Sequence, residues 1–125
     1  MTLLFDENFP PRLPRALRLF GIDAQHSREH LAPGTPDTVV FEFLRSRDWV
    51  WVTHDKGVRR NRHERAAILG AGVGAFVLTG TVQRSSLEML IFVARVVEEM
   101  GDLAGATRPP FIFGISDQRK FERLR

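Results

Sequence analysis

Short, continuous apolar runs alternate with segments of helical periodicity along the chain, and this alternation restricts the fold more than any other sequence feature. Five runs are predicted to be strands: Leu3–Phe5, Ile22–His26, Trp49–Thr53, Gly74–Thr79 and Pro110–Ile115. The segments between them predict four helices: Pro10–Phe20, Thr35–Ser46, Arg60–Leu69 and Ser85–Met100. Strands that are apolar on both faces are typical of a parallel sheet with helices on each side. The pattern therefore predicts a three-layer α/β/α fold with a mainly parallel sheet.

Several residues are typical of helix ends. Thr35 is predicted to be the N-cap of the second helix, with Pro36 in the first turn, where its missing N–H costs nothing. Ser85 and Glu88 have the spacing of a capping box at the start of the longest helix. The glycine-rich segment 70–74 follows a helix rather than a strand, so it is predicted to end that helix and not to bind phosphate.

Length and composition limit the class of protein. The 125 residues fit a single domain, 1–125, with an ordinary hydrophobic content of 43%. The absence of cysteine excludes disulfides, a thiolate metal site and a cysteine nucleophile. The N-terminus lacks the pattern of a signal peptide, and every apolar run is shorter than the ~20 residues that span a membrane. A cytoplasmic protein with no membrane contact is expected.

Basic residues are concentrated in two segments, Val58–Arg65 and Arg119–Arg125. The net charge is +3, and 16 of the 18 basic residues are arginine, which suits bidentate contacts to phosphate. The predicted RNA-binding residues are Arg59, Arg60, Arg62 and Arg65. The alternative interpretation of both segments is a solvated helix surface.

Acidic residues lie at three separate places on one predicted edge of the sheet. Asp6 and Glu7 come directly after the first strand, and Asp55 lies two residues beyond Thr53, where the third strand ends. Asp37 lies in the first turn of a helix, and helices of this architecture begin at the same edge. Because ligands of parallel α/β sheets bind outside the carboxyl ends of the strands, these acids are predicted to form one site.

The acidic edge has the composition of a divalent-metal site, because clustered carboxylates repel one another unless a cation joins them. Oxygen ligands suit Mg²⁺ or Mn²⁺, which can activate water and stabilise the charge on a phosphodiester. The predicted ligands are Asp6, Asp37 and Asp55. Glu7 is predicted to support the site, since neighbouring side chains of an extended chain point in opposite directions. Asn8 is predicted to support the site or only to cap the following helix, and the four histidines lack metal-ligand spacing.

Two segments, "LLFDENFPPRLPRAL" and "TPDTVVFEFLRSRDWVWVTHDKG", resemble the PIN-like nuclease domains. The resemblance covers residues 3–57 well and is strongest to the short branch grouped with the Mut7 C-terminal domain, whose relatives include VapC-like toxins. It implies a PIN-like fold and metal-dependent ribonuclease chemistry. It also implies a toxin of a toxin–antitoxin pair that a small antitoxin protein holds inactive. A homodimer is a further assembly that the resemblance leaves open.

The resemblance assigns roles to individual residues. The three acids of the family pattern fall on Asp6, Asp37 and Asp55. Thr53 matches the hydroxyl residue of the "T-x-D" motif, two positions before the third acid. In the short branch an acid often follows the basic residue of "T-x-D-K", but this chain has Gly57 there, and Glu64 is the acid available further on.

Two other functions compete with a nuclease. One is a catalytically inactive PIN-like protein that binds RNA or a partner, which the glycine at position 57 favours. The other is a receiver-like phosphoacceptor module, whose order of acids and hydroxyl fits Asp6, Glu7, Asp55 and Thr79. Receivers carry a lysine at the end of the fifth strand, and "PFIFGIS" has none. A receiver would also leave Asp37 without a role.

Overall fold

Six strands form one sheet in the computed structural model, which describes residues 1–125. They are β1 (Leu3–Phe5), β2 (Ala24–His26), β3 (Val50–Thr53), β4 (Gly74–Leu78), β5 (Phe111–Ile115) and β6 (Phe121–Arg123). Their spatial order is β2-β1-β3-β4-β5-β6, in which β1 to β5 run parallel and β6 runs antiparallel to β5. The mainly parallel sheet predicted from the apolar runs is confirmed.

Five α-helices and one short 3-10 helix, Ser27–Glu29, join the strands. The α-helices are α1 (Arg12–Leu19), α2 (Asp37–Arg47), α3 (Lys56–Arg60), α4 (Arg62–Gly70) and α5 (Ser86–Ala106). α1 and α5 bury their apolar sides on one face of the sheet, and α2, α3 and α4 bury theirs on the other. The three-layer α/β/α arrangement is confirmed. No helix has both the length and the apolar character needed to cross a membrane.

Burial on both faces explains why the strands lack alternating polarity. In β1, Leu3 and Phe5 belong to the core beneath α1 and α5, whereas Leu4 belongs to the core beneath α2 and α4. All three side chains are almost completely buried. Each strand residue therefore removes apolar surface from water, which is the main force that holds the layers together.

The C-terminal segment differs from the predicted alternative of a solvated helix surface, because it contains β6. Arg119 adopts a left-handed backbone with φ of 63° and donates its N–H to the Ser116 carbonyl, so the chain turns sharply after β5. Phe121 then packs edge-on against Phe76 of the core, with ring centroids 6.2 Å apart. This contact, which depends on the fold around it, holds the segment as an edge strand.

Two predicted helix starts also change. The helix predicted from Arg60 begins at Arg62 as α4, and the unpredicted helix α3 precedes it, because Asp55 caps α3 and Asn61 caps α4 through their side-chain oxygens. The Thr35 hydroxyl does not cap α2 but donates to the Ala32 carbonyl at 2.5 Å. The capping box is confirmed: the N–H of Glu88 and the Ser85 hydroxyl oxygen lie 3.1 Å apart, and the return bond is 2.8 Å.

A glycine on β4 gives a direct test of the sheet packing. Gly74 pairs with Phe111 of β5, and a Cβ at position 74 would overlap the Phe111 ring. Gly74→Ala should lower the free energy of unfolding by about 1–3 kcal/mol, since overpacking forces core side chains to move. Urea denaturation would measure this loss.

Gly105→Ala in α5 is the matched control, because a Cβ at that position meets no atom within 4 Å. It should leave stability unchanged or raise it by up to about 1 kcal/mol through helix propensity. Equal stability of the two variants would contradict the packing of Phe111 on Gly74.

Candidate active site at the carboxyl edge of the sheet

Asp6 is a buried carboxylate at the end of β1, with only 7% of its surface exposed. Its backbone N–H donates to the Val52 carbonyl of β3 at 3.0 Å, which continues the pairing of the two strands. One carboxylate oxygen accepts a hydrogen bond from the Thr53 hydroxyl, and the other accepts the Asn8 N–H at 3.0 Å. These bonds fix the orientation of the Asp6 side chain.

Thr53 connects Asp6 to the segment that carries Asp55. The same hydroxyl that donates to Asp6 accepts the backbone N–H of Asp55 at 3.1 Å. Asp55 is exposed, and its Oδ1 accepts the Gly57 N–H at 2.8 Å as the N-cap of α3. One buried threonine thus places two of the predicted acids at the ends of neighbouring strands.

The predicted acids influence one another electrostatically. Burial raises the pKa of Asp6 above its ordinary value, and the nearby charge of Asp55 raises it further. The hydrogen bonds from Thr53 and Asn8 and the charge of His54 oppose this rise. Burial also raises the pKa of Asp37, with further contributions from the carboxylates of Asp55 and Glu7. The fold therefore brings acids from three separate segments close enough to influence one another.

The acids do not converge on one point in this conformation. No group of three or more aspartate, glutamate or histidine side chains is arranged to contact a single ion. The donor chemistry still suits a hard cation, because every acid offers oxygen, and a cation would offset both the burial and the mutual repulsion that raise the pKa values of Asp6 and Asp37. Mg²⁺ is commonly held by one or two carboxylates and several waters. Joint coordination by Asp6, Asp37 and Asp55 remains a prediction.

Two supporting residues lie beside the acids. Glu7 is half-buried, and its carboxylate accepts the N–H of Gly34 at 3.4 Å, so it faces the loop before α2. Asn8 does not cap α1 with its side chain. Its backbone N–H orients Asp6, and its carbonyl lies 3.2 Å from the Nε2 of His54. Asn8 thus supports the site through its backbone.

Glu64 approaches the site from α4. Its carboxylate lies directly over Gly57, where any side chain would overlap it. Glu64 and Asp37 also line a cavity of about 400 Å³ between α2 and α4. The acid that the sequence offered as a fourth candidate therefore lies next to the start of α3, close to Asp55.

The four predicted RNA-binding arginines fall into two groups. Arg65 donates to the carbonyls of Val58, Arg59 and Arg125, and Arg59 donates to the Thr79 carbonyl at 2.6 Å. Arg60 and Arg62 are exposed and make no hydrogen bond or ion pair within the chain. Two of the guanidinium groups are therefore held by the protein, and two are free to bind a ligand.

The sequence analysis did not single out Lys56 or the loop 80–84. Both line a second cavity, to which His54 and Arg59 also contribute. The lysine was visible in the motif "HDKG", directly after Asp55. The loop carried no sequence signal, because it comes close to Lys56 only through the pairing of β3 with β4.

The charge of Asp6 is predicted to destabilise the protein near neutral pH when metal is removed. Its pKa in the folded protein lies above the ordinary value of 3.8, so the folded state favours the protonated carboxyl. The free energy of unfolding should fall as pH rises through the folded-state pKa. Asp6→Asn is neutral at every pH, so its stability relative to wild type should increase from pH below 3.8 towards neutrality.

Urea denaturation in EDTA over this pH range would measure the difference. Asp48→Asn is the control, because Asp48 is an exposed acid after α2, at the opposite edge of the sheet. The same pH-dependent gain in both variants would contradict an origin in the buried carboxylate.

Comparison with known families agrees with this geometry. The family model described as a PIN-like domain matches residues 1–80. This range extends from β1 through β4 and includes Asp6, Asp37, Asp55 and Glu64. No curated protein and no solved structure matches the chain. The grouping with the Mut7 C-terminal domain and VapC-like toxins remains a prediction. Because the match covers well over half of the sequence, the chain belongs to the PIN-like domain family.

Proposed function

We propose that this chain is a metal-dependent ribonuclease that cleaves single-stranded RNA, with residues 1–125 acting as one domain. The observation that carries this proposal is the set of acids at the carboxyl edge, where burial raises the pKa of both Asp6 and Asp37 and a neighbouring carboxylate adds to each rise. A fold gains no stability from charges that repel, so their retention is better explained by a cation that they bind. Membership of the PIN-like family supports nuclease chemistry at this edge.

The proposed metal ligands are Asp6, Asp37 and Asp55, and the metal is Mg²⁺ or Mn²⁺. When bound, such an ion would polarise the phosphodiester and lower the pKa of a water molecule. The protein contributes orientation: the Thr53 hydroxyl and the Asn8 N–H hold the Asp6 carboxylate in place. Glu7 and Glu64 add negative charge beside the ligands. They support the site through this charge and need not bind the metal directly.

The basic segment is proposed to bind the RNA backbone beside the acids. Arg60 and Arg62 have free guanidinium groups for phosphate contacts. Arg59 donates only to the neutral Thr79 carbonyl, so its positive charge also remains uncompensated, whereas Arg65 donates to Val58, Arg59 and the terminal Arg125. They fix α3 and α4 against the rest of the chain and add to the local positive potential.

Replacing Arg60 and Arg62 together with alanine should weaken binding of single-stranded RNA. If each contacts one phosphate, the slope of log affinity against log salt should flatten by about 1.4, at roughly 0.7 for each lost contact. Fluorescence anisotropy with a labelled oligonucleotide at several salt concentrations would measure this change.

The double variant Arg95→Ala, Arg108→Ala is the control, because these exposed arginines lie on α5 and just beyond its end. It removes the same charge from a different surface. An equal loss of affinity in both double variants would indicate that only the net charge matters.

The central prediction concerns cleavage. Wild-type protein should cleave single-stranded RNA in Mg²⁺ or Mn²⁺, and EDTA should abolish the reaction. Asp6→Asn and Asp55→Asn should each reduce cleavage at least ~10-fold, since even residues that only orient a metal ligand have effects of that size. Gel analysis of a labelled RNA would measure the rates.

The control for cleavage is again Asp48→Asn, which removes one acid from the opposite edge and should keep the wild-type rate. Cleavage that survives EDTA and both site substitutions would show a contaminating nuclease. If wild-type protein cleaves none of several RNAs, the enzyme proposal is wrong.

A binding-only PIN-like protein is the second candidate, and one specific observation favours it: no three acids converge on a single point.

A surface that could bind a partner protein is present whether or not the chain is an enzyme. Phe20, which is 85% exposed, and Ile91, which is 44% exposed, line an apolar groove between α1 and α5. Exposed apolar surface of this kind is typical of protein interfaces. A small antitoxin-like protein is the proposed occupant, and a second copy of the chain is the alternative.

A further inference from the structure

A basic cavity, distinct from the groove between α2 and α4, is lined by His54 and Lys56 on either side of Asp55 in the chain. It has a volume of about 300 Å³, which is the lower limit for sites that bind small ligands. The chain around Asp55 forms one wall, and the loop 80–84 forms the other. The cationic side chains on its lining are Lys56, Arg59, Arg60 and Arg84, and no carboxylate lines it.

The loop wall is fixed by Asp117. One oxygen of this carboxylate accepts the N–H groups of Thr81 and Val82 at 2.9 and 3.2 Å. The other pairs with the Arg84 guanidinium at 2.9 Å, and Arg84 also stacks on the Phe92 ring. Arg84 is therefore part of the wall, with its charge already neutralised. The cavity requires no rearrangement of this loop before a ligand binds.

Three other cations at the cavity have no acidic partner. Lys56 and Arg60 are exposed and form no ion pair. Arg59 is held by the neutral Thr79 carbonyl, which orients its guanidinium without neutralising it. Positive charges that share one cavity repel one another, and a phosphate group removes this repulsion through charge-assisted hydrogen bonds. The chemistry of the cavity is therefore that of a phosphate site.

Part of the lining is apolar. Leu78, Val82 and Met89 are the hydrophobic residues of the cavity. They offer a surface to a sugar or a base, which a site for inorganic phosphate alone would not need. The combination suits a nucleotide better than a free anion.

We propose that this cavity binds one nucleotide of the RNA strand, with its phosphate held by Lys56, Arg59 and Arg60. The inference rests on the proposed ribonuclease function, because it names a subsite for the same substrate. Lys56 follows Asp55 directly in the chain, so the bound nucleotide lies next to the acidic edge. The cavity then holds the strand beside the bond to be cleaved and contributes to substrate position rather than to the reaction.

Binding of adenosine 5′-monophosphate (AMP) to the Asp6→Asn protein in EDTA tests this subsite without cleavage or metal. Nuclear magnetic resonance titration should shift the backbone amide signals of Gly80, Thr81 and Gln83. AMP should bind more tightly than inorganic phosphate or adenosine, since each of these offers only part of the ligand. Equal affinity for AMP and phosphate, or signal changes confined to other surfaces, would overturn the proposal.

Matched variants locate the phosphate. Lys56→Ala and Arg60→Ala should each weaken AMP binding about 10-fold, the usual effect of losing one hydrogen bond to a charged group. Gln83→Glu, which adds a negative charge to the lining at constant size, should also weaken it. Lys120→Ala and Arg95→Ala remove exposed charges that do not line the cavity and should leave AMP affinity unchanged.

The outcomes separate the subsite from the enzyme proposal. If all five variants weaken AMP binding equally, or if none of them weakens it, AMP does not bind at one defined place and the proposed subsite is wrong. If AMP binds as expected but wild-type protein cleaves no RNA, the nucleotide site stands and the ribonuclease proposal fails. If RNA is cleaved but AMP does not bind in the cavity, the ribonuclease stands without this subsite.

Discussion

The candidate site depends on one buried hydrogen bond, from the Thr53 hydroxyl to the Asp6 carboxylate. It joins the ends of two neighbouring strands, β1 and β3, and the same hydroxyl accepts the N–H of Asp55. Without it, Asp6 would be a buried carboxylate with fewer donors, and such a group is costly to keep charged. The threonine thus makes a negative charge tolerable at a place where the apolar core begins.

The acidic edge and the basic surface beside it come from one short stretch of chain. β3 ends at Thr53, Asp55 caps α3, and the lysine and arginines of α3 follow within five residues. Carboxylates attract a cation, and the adjacent basic groups attract an anion such as a phosphate. Opposite charges are therefore placed side by side without forming ion pairs with each other, since neither Asp55 nor the basic residues of α3 form one. Each group stays available for a ligand.

Much of the fold and the position of the acids follow from local patterns, and the remainder depends on tertiary contacts. Apolar runs predicted β1 to β5, and the acids were located because parallel strands end at one edge of the sheet. The strand β6 was missed, since its pairing with β5 and the contact of Phe121 with Phe76 depend on the folded sheet. The structural role of Arg65 was invisible for the same reason: one of its partners lies 60 residues away. Direct coordination was predicted from the shared sheet edge and the family resemblance, and side-chain geometry does not bring three acids to one point.

The contact between Glu64 and Gly57 has a consequence for how this family is compared. The resemblance places an acid at position 57 in related chains, and here that position is a glycine whose missing side chain leaves room for the Glu64 carboxylate. A column-by-column alignment would record a lost acid, although a carboxylate reaches the same space from a residue seven positions later. In this chain a glycine at position 57 therefore does not mean that the space beside Asp55 lacks a carboxylate, because α4 supplies one.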